Sequence, residues 1–151
     1  MSVYSAAKTL ITAIKADATF VAYCTTNFSK QPTYFLGLDE ESPPLNDSLP
    51  MVVIMPNSSN IVDNQHQAFS IGVGCACSDG TITAATGLTE YKGFETIENF
   101  SKALFAAIQR HYDEENSANT LYSLESWTEL RIESYYPDYH STREIGVISG
   151  L

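Results

Sequence analysis

The feature that most constrains the fold is a regular alternation of large and small side chains in the middle of the chain. The large residues stand at odd positions: Phe69, Ile71, Val73, Cys75 and Cys77. Serine, glycine or alanine stands at each even position from 70 to 78. Successive side chains of a β-strand point to opposite faces, so this pattern predicts a central strand with a bulky face in the core. Its smooth face would let another backbone or a helix approach closely.

Two other segments carry apolar residues at the three- and four-residue steps of a helix with one buried face. The first covers residues 4 to 25. Ser2 or Ser5 can cap it, and Asp17 can restart it as a second N-cap, so two pieces are possible. The second is expected to end near residues 113 to 115, and its buried stripe is Phe94, Ile97, Ser101, Leu104, Ile108 and Tyr112.

Short apolar runs predict further strands. A strand is expected to begin at residues 32 to 36. The run from 51 to 55 is enclosed by Pro50 and Pro56 and predicts a strand that is covered on both faces.

The last third of the sequence predicts two strands, at 127 to 135 and at 143 to 151, joined by a turn at 136 to 139. The acidic, proline-containing stretch 37 to 50 and the threonine-rich stretch 78 to 92 are predicted to be loops. Together the segments predict one α+β domain over residues 1 to 151. We expect a single antiparallel or mixed sheet with two main helices packed on one face.

The charge balance disfavours binding to phosphate. Eight Lys and Arg residues stand against 18 Asp and Glu, which gives a formal net charge of −10. Such a chain is repelled by nucleic acids and by anionic membranes. Lys8 and Lys15 interrupt the N-terminal apolar pattern, unlike the apolar block of an export signal or a membrane span. We expect a protein made in the cytoplasm, with no membrane and no sequence-specific nucleic acid as partner.

Cys75 and Cys77 are interpreted as core residues. Three cysteines are an odd number, so no disulfide framework is expected. Cys75, Cys77 and His66 could bind a metal, but structural zinc uses four ligands in two pairs. Gly72 and Gly74 lie inside a strand pattern, whereas a phosphate loop lies at a strand-to-helix turn. We expect neither a metal nor a cofactor.

The sequence contains no motif of a known catalytic site. The three histidines are far apart in sequence, at His66, His111 and His140. The acidic pairs lie in segments that are predicted to be loops or helix ends. We expect a protein that is not an enzyme. A small cytoplasmic enzyme stays a less favoured alternative, which would require a cleft where a Cys or His converges with an acid.

Aromatic and acidic residues are the candidates for a protein interface. Nine tyrosines and seven phenylalanines are more than one small core needs. The alternative is that the tyrosines near the 136 to 139 turn pack over the end of the sheet. The candidate interface residues are Asp39, Glu40, Glu41, Tyr91, Tyr136 and Tyr139.

The order of elements is helix, strand, acidic loop, two strands, long helix and closing hairpin. With its opening helix at residues 10 to 17 (LITAIKAD) and its closing segments at 127 to 132 (WTELRI) and 136 to 137 (YP), the chain resembles the tail-terminator proteins of long-tailed bacteriophages. These are also called tail-completion or head-tail joining proteins. The resemblance is one of layout and covers nearly the whole chain.

The resemblance implies a structural virion protein that forms a ring, usually a hexamer. The ring would cap the tail tube, stop its polymerisation and join it to the head, without catalysis. Its partners would be copies of itself, the tail-tube protein and the head-connector protein, at the head-proximal end of the tail. A stopper or another neck component of the phage is the alternative. The stretches 37 to 50 and 78 to 92 are longer than a minimal member of the family needs.

Overall fold

A computed structural model describes residues 2–39, 41, 46–117 and 122–150. These residues form three α-helices, a mixed sheet of six strands and a separate sheet of two strands, which confirms the α+β class. The helices are α1 (Val3–Ala16), α2 (Ala18–Phe28) and α3 (Gly93–Ser117). The strands are β1 (Thr33–Leu36), β2 (Met51–Ile61), β3 (His66–Ser78), β4 (Ile82–Ala85), β5 (Leu88–Tyr91), β6 (Tyr122–Trp127), β7 (Arg131–Tyr135) and β8 (Asp138–Gly150). A single 3₁₀ turn, Asn46–Ser48, precedes β2.

The predicted break in the first helix is confirmed at Asp17. Ser2 caps α1, and its hydroxyl accepts a hydrogen bond from the backbone N–H of Ser5. Asp17 caps α2 by accepting from the backbone N–H of Phe20 at 2.8 Å. The same carboxylate accepts two hydrogen bonds from the guanidinium of Arg110 on α3, at 2.8 and 2.9 Å. Asp17 therefore starts α2 and also ties it to α3.

The predicted central strand is confirmed as β3. It pairs antiparallel with β2 on one side and with β8 on the other, and only β1 pairs parallel to its neighbour β2. The odd-numbered side chains of β3 from Phe69 to Cys77 are buried against the three helices. The largest fully buried side chains of this core are Tyr139, Phe20, Phe69, Phe100, Leu10, Ile14, Ile54, Ile71, Ile97, Leu104, Ile108 and Ile145.

The smooth face of β3 takes part in a second, smaller cluster on the other side of the sheet. Its buried members are Leu49, Met51, Val53 and Ala76, with Phe35, Leu38 and Met55 packed around them. Leu38 and Leu49 come from the two ends of the stretch 37 to 50. Leu38 and Leu49 therefore pack in the cluster that includes Ala76 of the smooth face.

The end of β2 differs from the one predicted. β2 does not stop at Pro56 but continues to Ile61, with a bulge between Pro56 and Ser58. Proline lacks the N–H that a ladder needs, and an edge segment with a bulge tolerates it. β1 pairs with only the first part of β2, so Pro56 lies beyond the paired edge.

The C-terminal part contains three strands where two were predicted. β8 begins at Asp138 and is 13 residues long, and β6 and β7 pair with its two halves. The predicted continuous strand at 127 to 135 is wrong because the chain leaves the ladder at Thr128. The hydroxyl of Thr128 accepts from the backbone N–H of Glu144 at 2.9 Å, where a backbone carbonyl would otherwise accept.

The stretch 78 to 92 was predicted as a loop but contains the hairpin of β4 and β5. Thr86 and Gly87 form its turn and have φ values of 50° and 79°. Positive φ at both central residues is typical of a type I′ turn, whose twist suits a two-residue hairpin. We call residues 82 to 91 the arm.

Val73→Asp tests the assignment of β3. Val73 is 7% exposed on the bulky face, so an unpaired carboxylate there is expected to lower the free energy of unfolding by several kcal/mol. Ser59→Asp on the exposed part of β2 is the matched control and should change it by about 0.5 kcal/mol or less. The measurement is urea unfolding, and equal midpoints for the two variants would contradict the assignment.

Asp17 is expected to make stability depend on pH. Its hydrogen bonds with Arg110 hold its pKa below the usual value, although burial opposes this. A lowered pKa in the fold means that stabilisation is present above the unfolded pKa of about 3.9 and is lost as pH falls through the folded pKa. Asp17→Asn should lower stability at pH 7 and lose less stability on acidification. An unfolding series from pH 7 to pH 3 that falls equally steeply in both proteins would refute this role.

Candidate interaction surface

Four exposed aromatic side chains flank the base of the arm, and two of them are in contact. Tyr91, Phe94, Tyr135 and Tyr136 are each 46% to 63% exposed. The rings of Tyr91 and Tyr136 meet edge to face, with centroids 5.5 Å apart. The structure therefore brings these two candidate interface residues together at the surface. We call Tyr91 and Tyr136 the aromatic patch, because Phe94 packs instead on Tyr139 and Tyr135 packs on His140.

Tyr139 does not belong to this surface, so its prediction as an interface residue is corrected. Its side chain is fully buried, opposite Cys77 in the pairing of β3 with β8. Gly93 at the start of α3 lies so close that a Cβ atom there would overlap the Tyr139 ring. The prediction placed Tyr139 in a turn, but β8 has already begun at Asp138, and its period of two sends Tyr139 to the bulky face.

The arm projects with both faces exposed. All eight residues of β4 and β5 are exposed, among them Ile82 at 45% and Leu88 at 59%. The pairing places Ile82 beside Tyr91 on one face, and Leu88 lies on the other face. Glu90 is the one charged residue between positions 80 and 91, and its carboxylate pairs with Lys92 at 2.9 Å.

The root of the arm, in contrast, is fixed by hydrogen bonds. The carboxylate of Asp79 accepts from the N–H of Thr81 at 2.9 Å and from the hydroxyl of Thr96 on α3 at 2.7 Å. The hydroxyl of Tyr136 donates to the carbonyl of Gly80 at 2.8 Å. Burial opposes ionisation of Asp79, but the hydrogen bonds from Thr96 and Thr81 outweigh it and keep its pKa below the usual value. The arm therefore leaves the domain from a defined point.

A groove of about 560 Å³ lies on the smooth face of the sheet. Its floor is Gly72, Gly74 and Ala76 of β3. A Cβ atom at Gly72 would lie 3.1 Å from the Cβ of Met55, so the missing side chain keeps the groove deep. The apolar wall consists of Leu38, Met51, Val53 and Met55, and the polar wall includes Glu129, Arg131, His140, Thr142 and Glu144.

Two of the three acidic candidates follow the groove residue Leu38 closely in the sequence. These are Asp39 and Glu41, both exposed. The carboxylate of Asp39 accepts from the backbone N–H of Glu41 at 3.0 Å, which closes a short turn. Glu40 lies outside the described residues.

The histidines occupy three separate places. His66 pairs with Asp63 at 3.0 Å in the exposed turn between β2 and β3. The His111 ring packs on Tyr112, and His140 lies in the groove. Among the described residues, no group of three or more His, Cys, Asp or Glu side chains is placed to hold a metal ion.

Comparisons with known proteins give this chain no family. No family model matches the sequence, and no curated protein matches it significantly. In the part of the chain that the structure describes, no helix is long and apolar enough to cross a membrane. The arm, the aromatic patch and the groove remain the features that bear on function.

The three cysteines are buried and free, and the interpretation of Cys75 and Cys77 as core residues is confirmed. Cys75 and Cys77 lie on the bulky face, and Cys75 Sγ is 3.0 Å from the hydroxyl oxygen of Ser141. Burial raises the pKa of both thiols to about 12 and that of Cys24 to about 11. A thiol with such a pKa is protonated at neutral pH, whereas metal binding and nucleophilic attack require the thiolate.

The native protein is therefore expected to react slowly with a thiol reagent at pH 8 and to carry no tightly bound zinc. Unfolding in urea should make all three thiols reactive, and a chelator should leave the fold intact. Ser59→Cys adds an exposed thiol to β2 and serves as the control that reacts at once. Elemental analysis that finds about one zinc per chain would overturn the prediction.

Proposed function

We propose that this chain is a structural assembly protein that forms a closed ring and terminates the tail of a long-tailed bacteriophage. The observation that carries the proposal is the arm. An isolated two-stranded hairpin buries too little surface to be stable alone in water, yet this one holds exposed apolar side chains on a fixed root. Such a feature is typical of a subunit whose arm is covered by another subunit.

The remaining surface agrees with a ring around a DNA channel. Three helices cover one face of the sheet, and the other face has an open groove, so one subunit carries different contact surfaces at different places. Contacts of that kind close into rings when the rotation between subunits closes. A net charge of −10 repels phosphate and would let DNA pass without sticking.

The proposal assigns the contacts with the tail tube and the head connector to two surfaces. Tyr91 and Tyr136 of the aromatic patch offer large apolar contact area with a polar tip, as interface tyrosines do. The acids Asp39, Glu40 and Glu41 would guide association by charge, since charge complementarity acts mainly on encounter and specificity. Catalysis has no part in this function.

The test is deletion of the gene in its phage, followed by electron microscopy of the particles. We expect filled heads beside tails of unregulated length, or tails that fail to join heads. The purified protein, imaged by negative stain alone and with tail tubes, should form rings at tube ends. Normal infectious particles from the deletion phage would contradict the proposal.

Complementation then tests the acidic surface. Replacing Asp39, Glu40 and Glu41 together by lysine should reduce rescue of the deletion phage while the unfolding midpoint stays unchanged, since exposed charges usually alter stability by about 0.5 kcal/mol or less. Glu98→Lys on the exposed side of α3 is the control and should rescue fully. If both variants rescue equally well, the acidic stretch is not part of the contact, and the proposal of a ring is unaffected.

A further inference from the structure

We propose that the arm of one copy docks in the groove of the next copy, with Leu88 entering the groove. This inference rests on the proposed function, because it names the contact by which copies join into a ring. It assigns the donor surface to the Leu88 face of the arm and the acceptor surface to the smooth face of β3.

The arm is built as a donor on one of its two faces. On the first face, Tyr91 is already in contact with the Tyr136 ring of its own chain. On the second face, the pairing places Thr83, Ala85, Leu88 and Glu90 together. Leu88 is 59% exposed at the far end of the arm, beside the turn. We therefore assign docking to the Leu88 face, which leaves Tyr91 and Tyr136 for the other contacts proposed above.

The groove is suited to accept such a face. Its floor of glycine and alanine allows a second backbone to come close, and Met55 and Val53 offer an apolar wall to a leucine side chain. On the opposite wall, Arg131 is exposed and can approach the carboxylate of Glu90, which lies on the same face of the arm as Leu88 and already pairs with Lys92 of its own chain. Apolar and charged parts of the arm thus meet their counterparts in the groove.

Charge favours a second copy as the occupant. Two chains of net charge −10 repel each other wherever their acidic surfaces approach. From position 80 to 91 the chain carries only Glu90, so the arm is a surface on which two copies can meet with little repulsion. The groove contains Arg131 beside the acids Glu129 and Glu144, so Arg131 is the groove residue that can attract Glu90.

The contact is heterologous, because donor and acceptor are different surfaces of the same chain. Each copy gives one arm and receives one arm, so association continues until the ring closes. A copy with a damaged arm can still receive, and a copy with a filled groove can still give. This asymmetry makes the inference testable by mixing variants.

The experiment measures molecular mass by sedimentation velocity over a range of concentrations. Leu88→Asp charges the arm, and Thr142→Trp fills the groove from an exposed position on β8. We expect wild-type protein to form closed oligomers and each variant to be monomeric. An equimolar mixture should give dimers and nothing larger, because one intact arm meets one intact groove. Ile61→Asp and Ser59→Trp, on the exposed end of β2, are matched controls that should assemble like the wild type.

Several results would overturn the inference. The inference is wrong if the wild-type protein stays monomeric at every concentration. It is also wrong if the variants assemble normally or if their mixture stays monomeric. Circular dichroism checks the fold of each variant, and Leu88→Lys and Thr142→Arg replace any that fails. If both variants still form rings, the arm does not make the contact between copies, but the proposed function stands. If the mixture forms dimers but the deletion phage makes normal tails, the arm contact stands and the proposed function is wrong.

Discussion

Burial of the odd-numbered side chains of β3 is the interaction on which the rest of the structure depends. Phe69, Ile71 and Val73 pack against the helices and hold them on one face of the sheet. Since the period of a strand is two, the same packing sends Gly72 and Gly74 to the other face, where they form the floor of the groove. A slip of one residue would exchange the two faces. The alternation of large and small residues in β3 therefore determines both the core and the groove.

The sequence predicted the features that depend on local pattern and missed those that depend on distant partners. The alternation around Val73 and the cap at Asp17 could be identified because period and capping chemistry lie in neighbouring residues. The exit of the chain at Thr128 could not, because it depends on Glu144 of another strand. The hairpin turn at Thr86 lacks the usual Asn or Asp signal. The groove joins Leu38 to Arg131, which only the strand order brings together.

The core also determines where the surface features stand. Asp79 follows the last residue of β3 and is bonded to Thr96 in the first turns of α3, so the arm is oriented by the same strand and helix that build the core. The close contact of Gly93 with the buried Tyr139 sets the start of that helix. Changes at these internal positions would therefore redirect the arm without touching it.

The pairing of β3 with β8 joins parts of the chain that are far apart in sequence, such as Ser70 and Glu144, which are hydrogen-bonded across 74 residues. Contacts of such separation form late, because a long loop must close before they stabilise anything. During synthesis, the edge of β3 that pairs with β8 therefore stays unpaired until β8 has emerged from the ribosome. An open edge of this kind is the part of a nascent chain most exposed to wrong pairing. For this protein the hazardous interval of folding is the time needed to translate α3 and the strands that follow it.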